Sequence, residues 1–289
     1  MVVAFRRALL RAAPTLERPL PWINHADPWA ILVSEFMLQQ TQTGRVVGPW
    51  AAFLERFPTP TVCAHAPLSE VVRAWSGLGF HRRAKFLHEA AIAITTDFGG
   101  TVPDTVSELR QLPGVGSYTA NAVASFAFGR PVAILDTNVG RVLARAVANK
   151  RLTPRQAQEL ATDALGGSES RVFNQAMLDL GAQFCTSRPR CDDCPVSRVC
   201  RWRHEGGDDP AVLSGGVSKK QSAFVGSDRQ IRGRLLAVLR EGSASTATLR
   251  ARAGTEDNVR VAAVLQTLLA DGLIERRRST WHLAGDPAR

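Results

Sequence analysis

The chain has 289 residues, 45% of them hydrophobic, and a formal charge of +10 that comes far more from arginine than from lysine. That length can bury a sizeable core as one large domain or two, and no apolar run approaches the roughly 20 residues that span a bilayer. A membrane-spanning helix is therefore not expected, and a surface this basic favours nucleic acid as partner over mere solubility. Before residue 204 there are 23 Lys and Arg against 16 acids, so most of the excess lies there. A soluble, cytoplasmic protein is expected, as a monomer.

In chain order, "MVVAFRRALLRAAP" is basic and amphipathic, lacks the cleavage site of a transit peptide, and is expected as a short surface helix. From about residue 5 to 203 nearly every segment has helical periodicity, broken at "FPTP", "GGTVPDT" and "LPGVG". Asp27-Pro28 starts a helix through "WAILVSEFMLQQTQT", which places Glu35 among Ile31, Leu32 and Leu38. A carboxyl there is partly desolvated and its pKa should rise. An interhelix ion pair or an exposed position is the competing reading of the same residue.

"LRQLPGVGSYTANAVASFAFG" reads as helix, tight turn and helix. Pro113 ends the first helix, and Gly114 and Gly116 allow unusual backbone angles around Val115. The amides opening the next helix then suit an anion, as in a helix-hairpin-helix that fixes position on DNA without reading sequence. Further on, "VAILDTNVGRVLARA" puts Asp136 at a helix start, where it can serve as an N-cap, as a catalytic group, or both. A helix amino terminus keeps an aspartate ionised. One protonated and one charged carboxyl is what cleavage of a glycosidic bond requires. In a nucleotide that bond is the N-glycosidic link, which a duplex hides until the base is rotated out.

Four cysteines crowd into "CTSRPRCDDCPVSRVC": Cys185, Cys191, Cys194 and Cys200, with spacing x5, x2, x5. Spacing alone leaves zinc and an iron–sulfur cluster equally open. Cys63 stands apart and reads as buried and inert. Residues 204–227 look like a linker. Helices over 228–241, 245–252 and 255–271 and the hairpin "GLIERRRSTWHLA" follow, resembling a winged helix whose Arg276, Arg277 and Arg278 either touch DNA or sit in a solvated turn.

"SEFMLQQTQT", "LPGVGSYTA", "ILDTNVGRVLAR" and the cysteine cluster together resemble the helix-hairpin-helix (endonuclease III) DNA glycosylase superfamily, and more closely its adenine mismatch-specific, MutY-type branch, over about residues 18–203. To the winged-helix-like α/β module over 228–289 the resemblance adds a mainly α fold: a six-helix barrel with the helix-hairpin-helix over 27–135, and an iron–sulfur helical domain from 1–26 and 136–203. It implies base excision repair of double-stranded DNA containing adenine opposite 8-oxoguanine or guanine. Glu35 would protonate the adenine ring and later activate water, and Asp136 would stabilise the oxocarbenium-like sugar. Tyr118 would sit beside the sugar, where endonuclease III-like relatives carry a nucleophilic lysine, so the chain would be monofunctional. Asn138 would orient the catalytic groups, and Gln175 would contact the extruded base.

By the same resemblance, Gln39, Gln40 and the adjoining Thr41 would enter the duplex beside Phe80, which replaces the family's tyrosine wedge. Pro113, Gly114, Val115 and Gly116 would hold DNA. The four cysteines would bind a [4Fe-4S] cluster, although the family spacing is x6, x2, x5. Arg188, Arg190 and Arg198 suit a phosphate-facing role beside it. No counterpart of the family's Nudix-like domain or its Phe-Ser-His loop is found, so the base opposite adenine would be read differently or with less preference over plain guanine. Two alternatives remain: a thymine or uracil mismatch glycosylase on the same scaffold, against which Glu35 argues, and a DNA-binding redox sensor, which leaves Glu35 and Asp136 unexplained.

Overall fold

The structure, a computed structural model, describes residues 1–217 and 223–287. Its elements run α1 (Val2–Leu16), α2 (Pro28–Leu38), α3 (Val47–Arg56), α4 (Pro60–His65), α5 (Leu68–Ala74) and α6 (Arg82–Asp97). Next come α7 (Val106–Leu109), α8 (Ser117–Phe128), α9 (Thr137–Val142), α10 (Pro154–Leu165), α11 (Ser170–Gln183) and α12 (Arg201–Glu205). The last part holds α13 (Asp228–Glu241), β1 (Ala244–Ser245), α14 (Thr246–Arg252), α15 (Asn258–Ala270), β2 (Ile274–Arg277) and β3 (Thr280–Leu283). No helix of the described residues is long and apolar enough to cross a membrane.

Two compact units emerge. The described residues of Met1–Pro28, Asp104–Arg110 and Val115–Lys220 form the first; those of Trp29–Pro103, Gln111–Gly114 and Gln221–Arg289 form the second. The sequence boundaries at 26 and 136 thus differ from those of the compact units, and the C-terminal module belongs with the barrel helices. Residues 218–222 of the expected linker and 288–289 of the expected module lie outside the described residues.

In the first unit, α1 buries Phe5, Leu9, Ala12 and Leu16 along one stripe. That stripe packs on α10 and α11, so the amino-terminal helix lines a core rather than lying on the surface. Proline at the first position and a capping box between Thr153 and Gln156 start α10. The core gathers Val142, Leu143, Leu165, Phe173, Met177 and Leu180 around these helices.

The first part of the expected linker is packed as well. Gly215 N–H donates to the Leu152 carbonyl (2.8 Å) and Ser214 Oγ accepts from Leu152 N–H (3.0 Å). Thr137 Oγ1 donates to the Gly216 carbonyl at 3.1 Å. A Cβ on Gly215 would lie 2.6 Å from the Pro154 backbone. The small residues that read as flexibility instead allow close approach of one backbone to another.

In the second unit, Trp29 and Trp50 each bury a ring and donate the indole N–H to a carbonyl, of Phe57 (2.9 Å) and Ala30 (2.8 Å). Phe53 packs against Phe57 and edge-on against Trp75. The C-terminal module has the three helices and hairpin expected, closed by an antiparallel sheet of order β1-β3-β2 that pairs Ala244 with Trp281 and Ile274 with Leu283. Ion pairing and carbonyl bonds fasten it to α5 and α6: Arg73 reaches Asp286 (2.7 Å) and the Arg240 carbonyl (3.2 Å), and Lys85 the Asp271 carbonyl (3.0 Å). Of the hairpin arginines, Arg276 stacks on Trp281 and Arg277 pairs with Glu275.

Candidate functional site

Every residue of α2 from Trp29 to Met37 is buried, Glu35 included at 5% exposure. This helix is apolar on all sides, so the acid has no solvated face to occupy, and the exposed-position reading falls away. The end of α2 is closed by a residue that the sequence did not single out. Arg83, on α6 and 6% exposed, donates to the carbonyls of Phe36, Met37 and Gln39 (2.9, 2.8 and 2.5 Å). The same guanidinium reaches Thr41 Oγ1 and the carbonyls of Leu78 and Gly79. It thereby satisfies the orphan carbonyls at a helix end and ties the Gln39–Thr41 turn to the loop before Phe80. Burial lowers the Arg83 pKa to about 10, which leaves it charged at neutral pH.

Phe80 sits at φ +45°, in the left-handed region that a bulky residue enters only under constraint, and it stays partly exposed at 36%. Arg83 and Arg229 lie over its ring at 5.6 and 5.8 Å. Gln40 also has positive φ. His81, beside Phe80, is buried, and burial together with Arg240, Arg232 and Arg83 pushes its pKa down to about 4. It is neutral at physiological pH.

At the expected DNA turn, Gly114 has φ +75° and a Cβ there would lie 2.6 Å from Phe86 Cβ, so glycine is required twice over. Gly116 is different: its φ is −84° and it has open space, so no unusual backbone angle demands a glycine there. It is the N-cap of α8 and makes no side-chain cap. Pro113 and Tyr118 are half-buried, and Val115 is buried.

In the first unit Asp136 caps α9: Oδ1 accepts from Val139 N–H and Oδ2 from the Asn138 amide, both at 2.8 Å. Asn138 Oδ1 accepts from Arg141 (2.7 Å), which also donates to the carbonyls of Gly181 and Cys185. A Cβ on Gly181 would come 2.5 Å from Asn138 Cβ, so α11 presses this asparagine against the acid. Buried Asn174 fixes the approach to Asp136, accepting from Ile134 N–H (3.1 Å) and donating to Val132 O (2.8 Å) and Ser125 Oγ (2.9 Å). Neither Arg83 nor Asn174 carries a motif, and nothing in the neighbouring sequence marks either. Gln175 Nε2 donates to buried Asp179 at 2.8 Å, and Arg18 holds the other oxygen of that acid.

Helix capping was expected to keep Asp136 ionised. Burial acts against it and raises the carboxyl pKa above its ordinary value, with the Val139 and Asn138 bonds and Arg141 pulling the other way.

All four clustered cysteines line one cavity with Val142, Arg145 and Trp202. Arg145 is buried, donates to Cys185 Sγ (3.5 Å) and the Thr186 carbonyl (2.6 Å), pairs through two bonds with Asp209 and stacks on Trp202. Burial raises the thiols of Cys185 and Cys200, and that of Cys194 to about 11. Among the described residues no three His, Cys, Asp or Glu side chains are grouped to hold a single metal ion. Arg188, Arg190 and Arg198 are exposed. Cys63 is fully buried, with its thiol pushed up to about 12.

A carboxyl whose folded pKa is raised loses stability as pH rises through that value. Asp136→Asn removes the penalty, so its melting temperature should exceed the parent's by a few °C at pH 7. The gap should close as pH falls toward about 4, and a lower melting temperature at pH 7 would mean that the donors outweigh burial.

The HhH-GPD superfamily base excision DNA repair protein model matches residues 33–165. An adenine DNA glycosylase of Mycobacterium tuberculosis is 44% identical over 269 residues, 90% of this chain and 86% of that one, so the likeness runs past residue 203 into the C-terminal module. The human adenine DNA glycosylase is 39% identical over 232 residues, 75% of this chain and 42% of that protein. A solved thermostable thymine-DNA glycosylase superposes with TM-score 0.65 and 30% identity, over 71% of this chain and 97% of that one. With a relative of that identity covering nine-tenths of its length, the chain belongs to the adenine DNA glycosylase family of the HhH-GPD superfamily.

Proposed function

We propose that the protein removes adenine mispaired with 8-oxoguanine or guanine from double-stranded DNA, hydrolysing the N-glycosidic bond after the nucleotide is rotated out. The observation that carries this reading is Glu35, a carboxyl 5% exposed within a wholly buried stretch of helix, in a chain of this family. Burial favours the protonated form of a carboxyl. A proton held there can pass to a ring nitrogen of a purine, which turns the base into a better leaving group, and the resulting carboxylate can then activate water. Asp136 supplies negative charge as the sugar becomes cation-like, with Asn138 and Val139 N–H fixing the orientation of its two oxygens. Tyr118 stands where a lyase would need an amine, so base release ends the reaction without strand cleavage.

Four half-buried cysteines line one cavity and would hold the [4Fe-4S] cluster that the family resemblance implies. Thiols raised by burial become thiolates only beside strong positive charge, which Arg145 supplies in part through its bond to Cys185 Sγ. When bound, the cluster would brace the loop from Cys185 to Cys200. Arg141, bonded to both the Cys185 carbonyl and Asn138, would pass that rigidity to Asp136.

The likeness to a thymine-DNA glycosylase makes thymine release the second reading. Duplexes that differ only in the mismatch decide between them: release from A opposite 8-oxoguanine and A opposite G is expected, with the strand intact until alkali is added. Release of T opposite G but no adenine would overturn the reading. Purified protein should be brown, with about four iron and four sulfide per chain; colourless protein with stoichiometric zinc would contradict the cluster.

A further inference from the structure

Within the second unit lies a groove of about 920 Å³ shared by barrel helices and the C-terminal module. Arg45, Arg82, Arg83, Arg229, Arg232 and Arg240 line it, against the single acid Asp271, which Arg232 already pairs at 2.5 Å and Arg82 approaches at 3.4 Å. Three of these arginines, with Phe224, come from the part of the chain after residue 220. The barrel side contributes Gln39, Gln40 and Phe80, whose backbone is held at positive φ.

The two sides are joined, not merely adjacent. Arg229 lies over Phe80, Arg240 Nη1 is 3.4 Å from His81 Nε2, and the Arg73–Asp286 and Lys85–Asp271 contacts hold the module in place. Phe224 is 57% exposed at the rim. Surplus guanidinium charge with exposed aromatic faces and side-chain amides is the chemistry of a site for an unstacked nucleic-acid strand: cations track phosphates and rings stack bases.

We propose that this groove binds a short unpaired stretch of DNA strand beside the extruded nucleotide, and that the C-terminal module supplies part of the grip: Arg229 and Arg232 on backbone phosphate, Phe224 on a base. Extruding one base leaves its former partner unpaired, so a base-flipping protein always generates such a stretch. The inference rests on the DNA reading above but not on which base is excised.

The test is fluorescence anisotropy with the full chain and a duplex carrying 2′-fluoro-2′-deoxyadenosine, which resists hydrolysis, opposite 8-oxoguanine. Arg229→Gln should weaken binding about 5- to 10-fold and flatten the slope of log K against log salt by about 1, one lost phosphate contact. Arg229→Lys, which keeps the charge, should restore the slope. Phe224→Ala should weaken binding about 5- to 30-fold with the slope unchanged, and should have no effect on a fully paired duplex where no base is unstacked. Binding within twofold of the parent and an unchanged slope for Arg229→Gln, at equal melting temperature, would overturn the proposal. Because binding is read, a negative result leaves the glycosylase reading standing, and absence of base release leaves this test valid.

Discussion

A carboxyl group inside an apolar helix is expensive, and much of the second unit can be understood from that cost. Glu35 lies in a helix buried from Trp29 to Met37, where an ionised acid loses its hydration. A fold selected for stability alone would place leucine or methionine there. Retaining the acid makes sense where a proton must be kept out of water until a base needs it. The surrounding structure is correspondingly stiff: Arg83 gathers the last carbonyls of α2, the Thr41 hydroxyl and the loop before Phe80 into one set of bonds. The helix that carries the acid and the residues that would enter DNA are thus tied to the same guanidinium.

In the proposed reaction the first unit meets the opposite demand, negative charge near a developing cation. Asp136 would act there as an anion, yet burial raises its pKa. The opposing forces are local and directed: two hydrogen bonds to its two oxygens, and Arg141 acting through Asn138. The same Arg141 reaches the Cys185 carbonyl, so the cysteine loop and the acid share one positioning residue. The cysteine loop and the Asp136 carboxylate are thereby coupled through two side chains.

The parts of this organisation that follow local rules were legible in the sequence. Proline and glycine punctuation located Gly114, an acid at a helix start located Asp136, and helical spacing with a hairpin gave the C-terminal module. The parts that depend on distant partners were not. Asn174 and Arg83 look like ordinary polar residues until the chain brings carbonyls far away in sequence to them. The amino-terminal helix read as surface because its buried stripe is narrow and its other faces are basic, while the helices that cover it lie over a hundred residues on. Glycine-rich residues before 217 read as a linker because composition cannot separate flexibility from close packing. Gly116, conversely, was credited with a backbone role that belongs to Gly114 alone.

Division of labour between the two acids is the centre of this account, and single-turnover base release measures it most directly. With A opposite 8-oxoguanine at saturating protein, Glu35→Gln and Asp136→Asn should each lower the rate by about 10³-fold or more, roughly 4 kcal/mol of barrier, while duplex binding stays within a few-fold of the parent. Either variant releasing adenine within about tenfold of the parent rate would contradict it.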